Sequence, residues 1–135
     1  MIKTQGVVHF SIPVTDTKRA KAFYKEHLGL KEVADVGPLV FLDSNGDSIV
    51  LVKVDGPIST AHVRNVHHSF LVAHEDYEAA KKELAAAGVK VLYEEDRREG
   101  VIDGPRVYFE DPDGNTLEII DLTAYATILD EKHAH

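Results

Sequence analysis

The chain has 135 residues, of which 44% are hydrophobic and 28% charged. That balance predicts a single globular domain (residues 1–135) and argues against disorder. The absence of cysteine excludes disulfides, iron–sulfur clusters and thiolate zinc sites. A formal charge of −8 disfavours nucleic acid and anionic membranes as partners. No apolar run is long enough to cross a bilayer, and the first residues lack the apolar stretch of a signal peptide, so a cytoplasmic protein is expected.

In chain order, residues 7–14 alternate apolar and polar, the period of a half-buried strand. A helix follows, with Phe23, Tyr24 and Leu28 on one stripe, Thr15 or Asp16 as its N-cap and Gly29 beyond its end. Residues 31–36, 38–43 and 47–54 read as strands, the last two joined by the hairpin signal Asn45-Gly46. The same grammar then returns. His67 and Ser69 lie 58 positions beyond His9 and Ser11, in a second alternating run over 65–72. A helix bearing Tyr77, Ala80 and Leu84 ends near Gly88, and strands are predicted over 89–95, 105–110 and 115–121. The polar stretch Glu94 to Gly104 reads as a long solvated loop, and 123–132 as a short helix.

The expected fold is α+β: two βαβββ modules, at about 6–54 and 65–122, with a linker over 55–64 and a tail over 123–135. One module buries little apolar surface alone. Two of them form a cup-shaped mixed sheet in this reading, and strand parity decides which residues look into it. Val8, Phe10, Ile12 and Val14 share the core face of the first strand, which turns His9, Ser11 and Pro13 into the cup. In the second module Val66, His68, Phe70 and Val72 oppose His67, Ser69 and Leu71. Within Leu117-Glu118-Ile119, Glu118 faces the cup from an apolar strand, where a carboxylate needs a cation or several donors. His9, His67 and Glu118 are therefore the candidate metal ligands, because two imidazoles and a carboxylate suit a divalent ion when thiols are absent. Val50 stands where symmetry with Glu118 would place a fourth ligand, leaving an open and hence more catalytic site. His74 reads as a solvated histidine.

These residues resemble the vicinal oxygen chelate superfamily, which includes glyoxalase I, extradiol dioxygenases, fosfomycin-resistance thiol transferases and metal-free bleomycin-binding proteins. The resemblance is carried by Val8-His9-Phe10-Ser11-Ile12-Pro13-Val14-Thr15-Asp16, Ala22-Phe23-Tyr24 to Leu28-Gly29-Leu30, Val66-His67-His68-Ser69-Phe70, and Tyr108-Phe109-Glu110-Asp111-Pro112-Asp113-Gly114-Asn115-Thr116-Leu117-Glu118. It implies a glyoxalase/bleomycin-resistance/dihydroxybiphenyl-dioxygenase-like fold in a homodimer, with His9 reaching the metal held by His67 and Glu118 of a second copy.

By the same resemblance Tyr108 matches a catalytic tyrosine near the metal, although a four-residue turn at Asp111 to Gly114 would pair it with Leu117 on the core face. Ser11 stands where fosfomycin enzymes carry threonine. Arg106 stands near the place where the dioxygenases carry a histidine close to, but not on, the metal. With Ser69 and Val50 they are the candidate substrate-binding residues. The expected cofactor is Fe2+, Mn2+, Ni2+, Zn2+ or Co2+, and the expected partner a small molecule that chelates through adjacent oxygens. The missing fourth ligand tilts the reading towards an extradiol-dioxygenase-like reaction. A glyoxalase-type isomerase or lyase, a fosfomycin-type thiol transferase and a non-enzymatic drug-binding protein are the alternatives.

Overall fold

A computed structural model describes residues 1–58 and 66–122. Its elements are β1 (His9–Val14), α1 (Thr17–Leu28), β2 (Lys31–Asp35), β3 (Leu39–Ser44), β4 (Asp47–Lys53), β5 (His68–Leu71), α2 (His74–Ala86), β6 (Val91–Arg97), β7 (Gly104–Glu110) and β8 (Thr116–Ile120). The order is βαβββ twice, as the internal repeat predicts. The chain forms two compact units, one holding residues up to Thr60 together with Pro112–Asn115, the other the remainder. The expected helix over 123–132 and part of the linker lie outside the described residues.

In the first unit the sheet order is β1-β4-β3-β2, with β1 parallel to β4 and the other pairs antiparallel. Ile12 and Val14 of β1, Val40 and Leu42 of β3, and Ile49 and Leu51 of β4 are buried and share one face, since paired residues point the same way. Helix α1 lies against β3 and β4, burying Ala20, Phe23 and Tyr24 at helical spacing. Each large apolar side chain so buried contributes about 1.5–3 kcal/mol. Asp16, not Thr15, is the N-cap, and its carboxylate accepts from Arg19 N at 3.0 Å. Gly29 closes the helix at φ 65°, where its amide donates to Tyr24 O.

Two core assignments in β1 are corrected. Val8 is 83% and Phe10 55% exposed, whereas Ile12 and Val14 are fully covered. Parity sets the side a strand residue faces, but burial needs another element above it, and β1 begins only at His9. Val66 is likewise exposed, one turn of chain ahead of β5.

The second unit repeats the order as β5-β8-β7-β6, with β5 parallel to β8. Phe70, Val107, Phe109, Leu117 and Ile119 form its buried face, and α2 buries Tyr77 and Leu84. Ala87 rather than Gly88 is the C-cap of α2, with Gly88 following in the left-handed region at φ 72°. Two expectations fail in β6 and β7. Asp96 and Arg97 are not loop: β6 runs two residues past the expected strand end because they pair with Pro105 and Gly104. Such charge is tolerated because β6 is the edge strand. The turn after β7 is also longer than four residues. Glu110 pairs with Thr116, so Asp111 to Asn115 all lie outside the ladder. Asn115 leaves it to donate from Nδ2 to Pro13 O at 2.8 Å, within the first unit.

Candidate functional site

That one extra turn residue changes what the site contains. With Glu110 opposite Thr116, Tyr108 falls opposite Glu118 and not opposite Leu117. Tyr108 therefore points away from the apolar core, because the turn is longer than the four residues that would have set it against Leu117. Ser69 of β5 pairs with Glu118 from the other side, so Ser69, Glu118 and Tyr108 form one row across three strands. Arg106 and Thr116, two residues away on their strands, share that face.

Glu118 sits in the middle of the central strand and is buried. Its Oε2 has no hydrogen-bond partner among the described residues, and the Arg106 guanidinium stands 3.7 Å away. The guanidinium is itself buried and donates twice to the backbone: Nε to Gly104 O at 3.2 Å and Nη2 to Ile102 O. Thr116 Oγ1, one side chain along the same face of β8, is likewise buried without a partner among the described residues. A carboxylate oxygen left in this state is costly unless something else approaches it.

Burial, and then the Glu118 carboxylate beside it, hold the Tyr108 hydroxyl well above the usual tyrosine range. It stays protonated at neutral pH, beside the carboxylate that it faces across the ladder. His67 lies just ahead of β5 and is exposed, and its ring meets Tyr108 edge-on, with centroids 5.5 Å apart at 73°. Two of the three candidate ligands, His67 and Glu118, thus occupy one face of the second sheet.

The neighbouring His68 takes the opposite side and is half-buried. Burial lowers its pKa first, with the charge of His67 acting in the same direction. His9, exposed, and Ser11 pair with Ser48 and Val50 in the first unit. Among the described residues, one chain gathers no three His, Asp or Glu side chains into a group that could hold a metal ion.

Two features escaped the sequence reading. Tyr93 stacks on Tyr108, with centroids 4.4 Å apart and planes 21° from parallel. Its alternation with Glu95 and Arg97 was visible, but a register shift in β6 decides the side. His74 is not simply solvated: its Nδ1 lies 2.6 Å from Oδ2 of the buried Asp121, which raises the imidazole pKa. Nothing local in the sequence links positions 47 apart.

Residues 6–119 match the Glyoxalase/Bleomycin resistance protein/Dioxygenase superfamily. The chain is 30% identical to the glutathione transferase FosA of Serratia marcescens over 118 residues, covering 85% of this chain and 79% of that protein. It is 29% identical to the metallothiol transferase FosB of Bacillus licheniformis, covering 87% and 75%. Its fold superposes on a variant of the fosfomycin resistance protein FosX from Listeria monocytogenes, solved with Mn(II) and 1S,2S-dihydroxypropylphosphonic acid. The TM-score is 0.76 at 19% identity, covering 98% of this chain and all of that one. Among the described residues, no helix is long and apolar enough to cross a membrane. The repeated βαβββ units and the match along nearly the whole chain lead to one assignment: this protein belongs to the Glyoxalase/Bleomycin resistance protein/Dioxygenase superfamily, the vicinal oxygen chelate group.

Proposed function

We propose that the protein is a divalent-metal-dependent transferase of the fosfomycin-resistance kind, with His9, His67 and Glu118 as its metal ligands. A thiol attacks an epoxide carbon of a small phosphonate, the C–S bond forms as the ring C–O bond breaks, and the ring oxygen becomes a hydroxyl by taking up the thiol's proton. The observation that carries this reading is the buried Glu118 Oε2, without a hydrogen-bond partner among the described residues, on the face that also bears His67. A carboxylate oxygen and imidazole nitrogens suit Mn(II) and its neighbours, and a bound ion supplies Lewis-acid polarisation of substrate oxygens. Val50, apolar and buried, adds no fourth donor.

The remaining residues hold and orient. Tyr108, directly opposite Glu118 in the ladder, flanks the carboxylate and limits its rotation. Arg106 offsets the buried charge from 3.7 Å and lends positive potential to a face that receives an anionic substrate. Ser11 and Ser69, both exposed, offer hydroxyls to substrate oxygens. The protein works as a homodimer in this reading, with His9 completing the site on the second unit of its partner. The relatives favour transferase chemistry over the dioxygenase-like reaction suggested by the open ligand set alone, since they are named as glutathione and metallothiol transferases.

The test is to incubate Mn(II)-loaded protein with fosfomycin and glutathione or cysteine and follow phosphorus by NMR. A thiol adduct that forms only with protein and metal is expected. Formation of the diol alone would assign water as the nucleophile and overturn the transferase reading, and no conversion with either thiol would overturn the phosphonate substrate.

A further inference from the structure

Tyr93 is large, aromatic and 52% exposed on an edge strand, so core burial does not explain its position. Its place depends on an irregularity in the ladder. Val91 pairs with Phe109, and continuing in step would set Leu92 against Tyr108 and Tyr93 against Val107 on the apolar face. A register shift between Val91 and Tyr93 instead sets Tyr93 opposite Tyr108. The two rings then stack at 4.4 Å while the His67 ring abuts Tyr108 edge-on at 5.5 Å. Tyr108 is thereby held between two rings, one from the strand edge and one from the chain ahead of β5.

From this geometry we infer that Tyr93 is a positioning residue: its ring braces Tyr108 so that Tyr108 stays beside Glu118, its partner across the ladder, and keeps the carboxylate aimed for metal binding. The inference rests on the proposed metal site for its use, although the brace itself exists without metal. A stack restricts a ring more tightly than a single edge contact, because offset parallel rings share a whole face. Freed on that side, Tyr108 gains alternative rotamers, and a carboxylate flanked by that side chain loses a wall that limits its direction. The hydroxyl of Tyr93 takes no part in this account; only its ring does.

Three variants separate the possibilities. Tyr93→Phe keeps the ring, Tyr93→Leu keeps apolar volume without it, and Tyr93→Ala removes both. In metal-free protein the Glu118 carboxyl carbon resonance should move in Tyr93→Leu and Tyr93→Ala and stay in place in Tyr93→Phe. Mn(II) affinity, read by the paramagnetic signal of free ion, should weaken roughly tenfold in the first two and stay within about twofold in Tyr93→Phe. A Glu118 resonance unmoved in Tyr93→Leu would overturn the inference, as would Tyr93→Phe behaving like Tyr93→Leu. If the native protein binds no Mn(II), the metal reading fails, and the carboxyl resonance still decides whether the brace exists.

Discussion

Asp121 is buried at the end of β8 while the His74 side chain it meets is 72% exposed, so one member of the pair lives in the protein and the other in water. The carboxylate raises the imidazole pKa above its ordinary 6.5; the adjacent Glu75 pushes the same way and desolvation opposes them. A raised folded-state value means that the stabilisation is fully present below about pH 6.5 and is lost as pH climbs through that higher value. His74→Ala should therefore lower the urea midpoint at pH 5.5 by more than at pH 9. A gap that stayed constant or widened with pH would contradict the pairing. The reading of His74 as solvated was right about its exposure and blind to its partner, because parity and periodicity report a residue's own side and not its long-range neighbours. Glu118 was legible for the opposite reason: polar residues rarely interrupt Leu-x-Ile on a central strand without a purpose.

At the scale of elements, the second sheet depends on how closely β7 approaches the chain after β8. Gly104 opens β7 at φ 133°, and a Cβ built there would lie 2.0 Å from the Asp121 carbonyl oxygen. Backbone cannot yield as a flexible side chain can. Gly104→Ala should thus cost about 2–4 kcal/mol, combining an unfavourable φ with a steric clash. Gly46, at φ 97° in the Asn45-Gly46 turn with open space around it, should cost only about 1 kcal/mol on the same change. Equal losses at both positions in denaturant unfolding would refute the close approach.

Turn chemistry also shows where sequence reading stops. Asn45-Gly46 specified its hairpin from two residues, because both tolerate positive φ. Asp113-Gly114 did not fix the turn length, since Asn115 is drawn out of the ladder by Pro13, a residue far away in sequence. That hydrogen bond, with those that Thr15 and Arg19 give to Asp113, accompanies the register that turns Tyr108 to Glu118, and the β6 shift that brings Tyr93 over it has no local signature either.

For the whole molecule, duplication was the most readable property. Element order, helix stripes and paired His-x-Ser strands repeat, and the two sheets share one strand order. What duplication cannot supply is the assembly of the proposed ligands, which lie in different units: His9 in one, His67 and Glu118 in the other. The direct test counts Mn(II) bound per chain by equilibrium dialysis. The native protein should hold about one ion per chain, as an open site with three protein ligands does, while His67→Ala, Glu118→Gln and His9→Ala lose it and His74→Ala keeps it. Subunits of His9→Ala and Glu118→Gln, mixed and reassembled as dimers, should recover about a quarter of the sites if His9 acts across the interface. Full Mn(II) stoichiometry in Glu118→Gln or His67→Ala would contradict the account.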